Sequence, residues 1–307
     1  SSWGVTMKRF KEEDSSPEFL DYRVHDPQSW ADAKARMTPS RDRVNWKNLD
    51  DNYASWRAEG QWVEAEFWFG FDVAHSWMAG TENILCALIE EPEWVTDIFD
   101  TYLSMCIAEF EMIWDAGYRF DSIRWPDDMG YKGTTFFSPA IYRELLKPFH
   151  KKAVDWAHER GVFAHLHSCG DIMTLLPDVV DTGIDCLNPL EIKAGMDGAA
   201  VKERYGDRLA LHGGINAALW DKPEQFLSEI DRLLPSTPRA ADTSLPPITR
   251  SPTPRRSPPS APRSKRSKAS GSDSDDRDSG SVSAPGAGGG LPAGAHPSRR
   301  SRPETTK

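Results

Sequence analysis

Short β-prone runs alternate with helical segments from residue 62 onward, and this alternation limits the fold more than any other feature of the 307-residue chain. After each run, apolar residues recur three to four positions apart, which is the period of an amphipathic helix. Because each helix crosses over to the next strand, the strands are predicted to be parallel. The runs are WVEAEFWFG (62–70), FDSIRWPDD (120–128), VFAHLHSCG (162–170), IDCLNPLE (184–191) and RLALHGGI (208–215).

Helices are predicted between these runs. The longest begins at Pro92 and stops before Gly117. Another begins at Ser138 and runs toward Arg160, with a bend expected at Pro148. Three more are predicted over 171–182, 197–205 and 223–234.

Polar residues gather at the carboxyl ends of the strand-like runs, which favours a (β/α)₈ barrel over an open sheet. In a barrel these ends converge on one mouth, where active sites lie. Only five of the eight units are recognisable, so the predicted fold class is α/β with an incomplete barrel of the TIM type. The residues at the strand ends are Asp127, Asp128, His167, Cys169, Asn188, Glu191, His212, Gly213 and Gly214.

Composition divides the chain near residue 234. All 12 Trp lie at or before Trp220, whereas the last 73 residues contain 13 Pro and 15 Ser. Such a segment cannot bury a core, so 235–307 is predicted to be a disordered tail. The change in composition falls inside a predicted helix, so we interpret the tail as unrelated sequence joined to an interrupted barrel. We prefer this interpretation to a phosphorylatable or RNA-contacting arm. Residues 1–61 are predicted to form an extension packed on the barrel, which occupies 62–234.

Charge and cysteine content restrict the partners and the compartment. Residues 1–234 carry 24 basic and 41 acidic side chains, so nucleic acid and anionic membranes are not expected to bind them. The chain has no run of 18 apolar residues and no apolar signal core, which predicts a cytoplasmic protein. The four cysteines lack the spacing of a disulfide framework and are expected to be free thiols in a reducing compartment.

His167 and Cys169 are candidate zinc ligands. Residues two apart on a strand face the same side, and Zn²⁺ binds imidazole and thiolate. A catalytic zinc site uses three protein ligands, and the sequence leaves the third open among Cys186, Glu191 and His212. The alternative is a buried thiol beside a hydrogen-bonded histidine.

Asp127 and Asp128 are candidate catalytic acids, because burial and mutual repulsion raise the pKa of a carboxyl group. The alternative is loop solvation and capping. His212 is a third catalytic candidate or a core histidine. Gly213 and Gly214 would let a ligand approach the backbone closely, or they form only a tight turn. The residues predicted to bind substrate are Asn188, Glu191, Gly213 and Gly214.

Three ordered blocks carry a family resemblance: PDDMGYKGTTFFSPAIYRELLKPFHKK (126–152), HLHSCGDIMTLLPDVVDTGIDCLNPLE (165–191) and AGMDGAAVKERYGDRLALHGGIN (194–216). Together they resemble the uroporphyrinogen decarboxylase superfamily, which includes corrinoid-linked enzymes similar to methylcobalamin:coenzyme M methyltransferase. The likeness covers about residues 80–234. It implies a (β/α)₈ barrel with its site at the mouth. The Arg-rich N-terminal motif, the early strand with a catalytic Asp and the late Gly-His-Gly strand have no counterpart here.

The resemblance implies an enzyme, and the methyltransferase branch suits His167 and Cys169 best. In that branch a His-x-Cys pair and a later Cys hold zinc, which activates a thiol toward a methyl group carried by a corrinoid or a corrinoid protein. The first alternative is cofactor-independent decarboxylation of a tetrapyrrole in porphyrin biosynthesis, although the basic anchors for its carboxylates are missing. The second is a non-catalytic remnant or an incomplete gene product.

Overall fold

The computed structural model describes residues 4–8, 18–233 and 281–283. Most of the predicted tail, 235–307, therefore lies outside the described residues. The chain before the first predicted strand contains an antiparallel hairpin and two helices. These elements are β1 (Val5–Lys8), β2 (Glu18–Tyr22), α1 (Pro27–Lys34) and α2 (Trp46–Ala58).

A parallel sheet forms the centre of the described structure, and its strands lie side by side in chain order from β3 to β9. The five predicted strands and their parallel direction are confirmed, although each strand is shorter than its apolar run. Strands of consecutive units in a (β/α)₈ barrel lie in this order. The strands are β3 (Glu64–Glu66), β4 (Ser122–Pro126), β7 (Phe163–His167), β8 (Cys186–Asn188) and β9 (Ala210–Leu211), with β10 (Ser281–Ser283) beside β3 and a small hairpin of β5 (Gly130–Tyr131) and β6 (Thr134–Thr135) after β4.

Helices follow the strands as predicted. The helix that begins at Pro92 ends at Asp115, and the last two predicted helices lie within a residue or two of their expected bounds. The helices are α3 (Phe71–Ala74), α4 (Thr81–Glu90), α5 (Pro92–Asp115), α6 (Pro139–Ile141), α7 (Lys147–Glu159), α8 (Leu176–Asp181), α9 (Gly198–Tyr205) and α10 (Pro223–Leu233).

Two helices depart from the prediction for backbone reasons. The predicted helix from Ser138 is divided by a widened turn over Tyr142–Leu146, just before Pro148. Proline has no N–H to donate to the preceding turn, so the regular bonding pattern breaks there. Helix α8 begins later than predicted, because the N–H of Asp171 bonds to the carbonyl of Tyr131 in the β5–β6 hairpin.

The N-terminal elements contact the barrel helices. Helix α1 begins with a capping box in which Asp26 and Ser29 exchange bonds between side chain and backbone. Its Trp30 is buried and donates its indole N–H to Asp97 of α5 at 2.7 Å. This polar contact satisfies the indole N–H of a ring that otherwise packs in the apolar core.

The two faces of the sheet differ in chemistry, because alternate residues of a strand point to opposite sides. One face is apolar and buried among the helices. The opposite side, termed the polar face below, is the side that lines the interior of a barrel. The apolar residues are Ala65, Ile123, Trp125, Ala164, Leu166 and Leu187. The polar face carries Glu64, Glu66, Ser122, Arg124, His165, His167, Cys186 and Asn188.

The four cysteines are free thiols, as their spacing predicted. Among the described residues, no helix combines the length and the apolar character needed to cross a membrane.

Candidate metal centre

Two neighbouring strand ends bring Asp128, His167 and Cys169 together. Pro126 of β4 is paired with His167 of β7, so the residue two positions beyond each strand end lies at the same level. The Nε2 atom of His167 lies 3.4 Å from the Cys169 sulfur and 3.7 Å from Asp128 Oδ1. One potential ligand atom from each residue lies within 4.8 Å of the other two.

The spacing and the chemistry of this cluster fit a metal ion such as zinc. Ligand atoms at the usual zinc bond lengths and tetrahedral angles lie roughly 3.4–3.6 Å apart. A carboxylate, an imidazole and a thiol are also donor types that zinc accepts. Among the described residues, the third member of the cluster is Asp128 and none of the three candidates that the sequence left open.

Burial controls protonation in the metal-free cluster. It raises the pKa of the Cys169 thiol to about 12, and the charges of Asp128 and Glu191 add to this effect. Burial also lowers the pKa of His167, although the Asp128 carboxylate opposes the shift. At neutral pH the imidazole is therefore neutral and able to bind a metal, whereas the thiol must lose a proton when a metal binds.

Asp127 points away from the cluster and is fully buried. Its Oδ2 lies 2.8 Å from His150 Nε2 in α7, and its Oδ1 accepts the N–H of Asp72 at 2.7 Å. His150 continues the chain to the hydroxyl of Tyr142 at 2.9 Å. These contacts connect α3, the end of β4 and α7, while the catalytic role of Asp127 stays a prediction.

Gly70 makes this arrangement possible. A Cβ atom at this position would lie 2.3 Å from Asp127 Oδ2, and its φ of 103° is in the left-handed region that favours glycine.

Asp72 is a site residue that the sequence analysis missed. Burial raises the pKa of its carboxyl group to about 8, with further increases from the charges of Asp128 and Asp127. Ser76 donates a hydrogen bond to its Oδ1 at 2.9 Å. The available signal was an aspartate two residues after the first strand-like run, since Asp127 and Asp128 lie similarly at the end of the second.

The other ring nitrogen of His167 also has close neighbours. Its Nδ1 lies 2.6 Å from Asn188 Oδ1 and 3.0 Å from Arg124 Nη2. Arg124, a second residue missed from sequence, also lies 3.3 Å from a carboxylate oxygen of Glu66. Arg124 could have been found from the alternation of side chains along β4, which places it on the same face of the sheet as His165 of β7.

Glu191 supports the loop that carries Cys169. Its Oε2 accepts the N–H of Gly170 at 2.8 Å. Gly170 passes so close to the β5–β6 hairpin that an added Cβ would lie 2.1 Å from the carbonyl carbon of Gly130. The predicted contact of Glu191 with substrate stays a prediction.

His212 and the two glycines lie beyond β9. The His212 side chain is exposed, its ring centroid lies 5.8 Å from that of His165, and its carbonyl accepts Asn188 Nδ2 at 3.2 Å. Gly213 and Gly214 have φ angles of 103° and 97°, which explains glycine at both positions without a ligand. The catalytic role of His212 and the ligand contacts of the glycines stay predictions.

The sequence model of the family described as uroporphyrinogen decarboxylase (URO-D) matches residues 70–241, which is more than half of the chain. The chain belongs to the uroporphyrinogen decarboxylase family. This result confirms the resemblance carried by the three sequence blocks. The family match contains all three members of the metal cluster and also Asp72, whereas β3 precedes it.

A solved structure supports the same fold for this family member. The chain is similar to a methyltransferase from Methanosarcina mazei, with a TM-score of 0.52 and 18% sequence identity. The alignment covers 76% of this chain and 67% of that chain. At this identity the likeness shows the fold, which is an α/β fold of the barrel type. No curated protein sequence matches the chain.

Proposed function

We propose that this family member is a methyltransferase that holds zinc through Asp128, His167 and Cys169 and transfers a methyl group from a corrinoid to the sulfur of a thiol. The observation that supports this proposal most directly is the carboxylate, imidazole and thiol cluster at two adjacent strand ends. When bound, zinc lowers the pKa of a thiol that it coordinates and so supplies a nucleophilic sulfur at neutral pH.

The protein residues have separate tasks in this proposal. Three ligands leave a position open for substrate, as catalytic zinc sites require. Asp128 Oδ1 already accepts the Cys169 N–H at 2.7 Å, so the carboxylate and the loop of Cys169 are held together before a ligand arrives. Glu191, which follows β8, stabilises the same loop by accepting the N–H of Gly170. The cluster is therefore preorganised, which preserves the geometry that metal chemistry needs.

The reaction balances without a further reactant. The thiol would release its proton to solvent, its sulfur would form the new bond to the methyl carbon, and the electron pair of the broken cobalt–carbon bond would stay with the corrinoid. The methyl donor is expected to be a corrinoid, either free or carried by a partner protein.

Charge on the polar face favours methyl transfer over tetrapyrrole decarboxylation. A porphyrinogen substrate carries several carboxylates, which need cationic anchors. On β3, β4, β7 and β8 the polar face carries the guanidinium of Arg124 together with the carboxylates of Glu64 and Glu66. This face is therefore poorly suited to bind several substrate carboxylates. The similar fold of the Methanosarcina mazei methyltransferase is consistent with this preference.

The test combines metal analysis with an activity assay on the full chain. We expect one zinc per chain in the wild type, and loss of zinc in Cys169→Ala and His167→Ala. Cys86→Ala, which removes an exposed thiol, is the matched control and should keep its zinc. Methylcobalamin and a panel of small thiols should show zinc-dependent loss of methylcobalamin absorbance.

Two results would overturn the proposal. One is a protein without stoichiometric zinc whose activity is unchanged by Cys169→Ala. The other is formation of porphyrin from uroporphyrinogen without added metal, which would favour decarboxylation.

A further inference from the structure

A single ring nitrogen of His167 faces both a donor and an acceptor. Arg124 Nη2 can only donate, and it lies 3.0 Å from Nδ1. Asn188 Oδ1 can only accept, and it lies 2.6 Å from the same atom. The orientation of the Asn188 amide is set by its Nδ2, which donates to the carbonyl of His212 at 3.2 Å. The contact with Arg124 therefore requires Nδ1 without a proton, whereas the contact with Asn188 requires Nδ1 with one.

Each tautomer of the neutral imidazole satisfies one neighbour and leaves the other unmatched. With the proton on Nδ1, the ring donates to Asn188 and its N–H faces the N–H of Arg124. With the proton on Nε2, the ring accepts from Arg124 and turns a lone pair toward the oxygen of Asn188. The second tautomer also covers the lone pair of Nε2, the nitrogen that faces Cys169 and Asp128.

We propose, building on the metal site assigned above, that Asn188 is a positioning residue that holds His167 in the tautomer with its proton on Nδ1, and that Arg124 stabilises the opposing tautomer. Asn188 then acts through His167 and needs no contact with substrate. The shorter distance favours Asn188, and the sheet supports it, because Asn188 of β8 is the direct partner of His167 in β7. Arg124 keeps a second partner in Glu66 in either state.

The first test needs no metal. In metal-free full-length protein labelled with ¹⁵N-histidine, the ring nitrogen shifts of His167 at neutral pH should report a proton on Nδ1. Asn188→Leu should move this proton to Nε2, whereas Asn188→Asp, which keeps an accepting oxygen, should leave it on Nδ1. Asn83→Leu removes an amide bonded to the carbonyl of His25, away from the site, and serves as the control. Unchanged shifts in a folded Asn188→Leu protein would overturn the inference.

The second test measures affinity for Co²⁺ and Zn²⁺. Loss of an outer partner of a ligating histidine typically weakens metal binding by about 10–100-fold, and we expect this for Asn188→Leu. Asn188→Asp should bind at least as tightly as the wild type.

Arg124→Met distinguishes a hydrogen-bond effect from a charge effect. Loss of the positive charge alone would tighten metal binding by the same factor with or without Asn188. If Arg124 acts through the tautomer, Arg124→Met should increase metal affinity in both backgrounds by different factors. The increase in the Asn188→Leu protein should be several-fold larger than the increase in the wild type. Equal factors in the two backgrounds would count against the assigned role of Arg124.

The two tests separate this inference from the proposed function. If the tautomer responds as described but no metal binds, the methyltransferase proposal fails and the role of Asn188 stands. If metal binds and neither the tautomer nor the affinity depends on Asn188, the inference fails and the metal site stands.

Discussion

Removal of the Asp127 carboxylate should destabilise the protein strongly, because its contacts are buried. Both the Asp127 and the His150 side chains have 0% exposure. Breaking a buried pair by removing one partner typically costs about 3–5 kcal/mol, since the remaining group keeps its desolvation penalty without a partner. Asp127→Ala also leaves the N–H of Asp72 without its acceptor. We therefore expect a loss of about 3–5 kcal/mol in the free energy of unfolding.

Asp127→Asn tests the physical origin of this loss. It keeps the shape and one accepting oxygen, so we expect a smaller loss of about 1–3 kcal/mol. The assay is urea unfolding with the m-value compared across variants, because a shift of the midpoint at constant m reports stability alone. For a domain of this size, the larger loss corresponds to a fall in Tm of roughly 6–20 °C.

Asp155→Ala is a suitable control for Asp127→Ala. It breaks an exposed pair with Lys151 on the surface of α7 and should cost less than about 1 kcal/mol. If Asp127→Ala and Asp155→Ala lost similar amounts of stability, the reasoning about the buried chain from Asp127 to Tyr142 would be wrong.

Three further predictions concern pH, backbone and metal. The raised pKa values of Asp72, about 8, and Glu109, about 7, mean that the folded protein holds protons which the unfolded chain has lost. The lowered pKa of His75, about 4, has the opposite effect below about pH 6.5, so metal-free stability should fall as pH rises from about 6.5 to 8, which urea unfolding at several pH values can measure. Gly70→Ala should lower the melting temperature more than Gly117→Ala. Both positions have φ near 100°, but only Gly70 has a carboxylate where the Cβ would lie. Zinc at 100 times its Kd should raise the free energy of unfolding by about 2.7 kcal/mol, and a chelator should reverse the gain.

Each of these predictions has a contradicting result. The first would be contradicted by stability that is constant or increases between pH 6.5 and 8. Equal losses for Gly70→Ala and Gly117→Ala would remove the argument for a close approach to Asp127. A melting temperature that is independent of zinc would contradict the third prediction and the metal site with it.

Much of the fold could be predicted from local pattern. Pro92 and Gly117 bracket α5 because one begins a helix and the other cannot continue it. The five strand-like runs became strands because apolar and β-branched residues recur where a sheet face needs burial. The late start of α8 could not be predicted, because it depends on the pairing of Asp171 with Tyr131, which are 40 positions apart.

The candidate site could be predicted only in part. His167 and Cys169 belong to one strand-like run of the sequence, so the two-residue period of a strand predicted their common direction. Whether Asp127 or Asp128 joins them depends on how β4 lies against β7, which local sequence does not encode. Asp72 and Arg124 were missed because neither belongs to a recognisable motif. Their places in the site also depend on how neighbouring strands lie against each other.

The sequence by itself determined the order of strands and helices, the parallel sheet and the pair of donors at the end of one strand-like run. These properties depend on periodicity, composition and backbone preference, which act over a few residues. Only the tertiary structure decided that Asp128 completes the cluster, that Asp127 is buried against His150, and that Asn188 and Arg124 compete for one nitrogen of His167. These contacts join residues 21 to 43 positions apart, and their distances are set by strand register and packing.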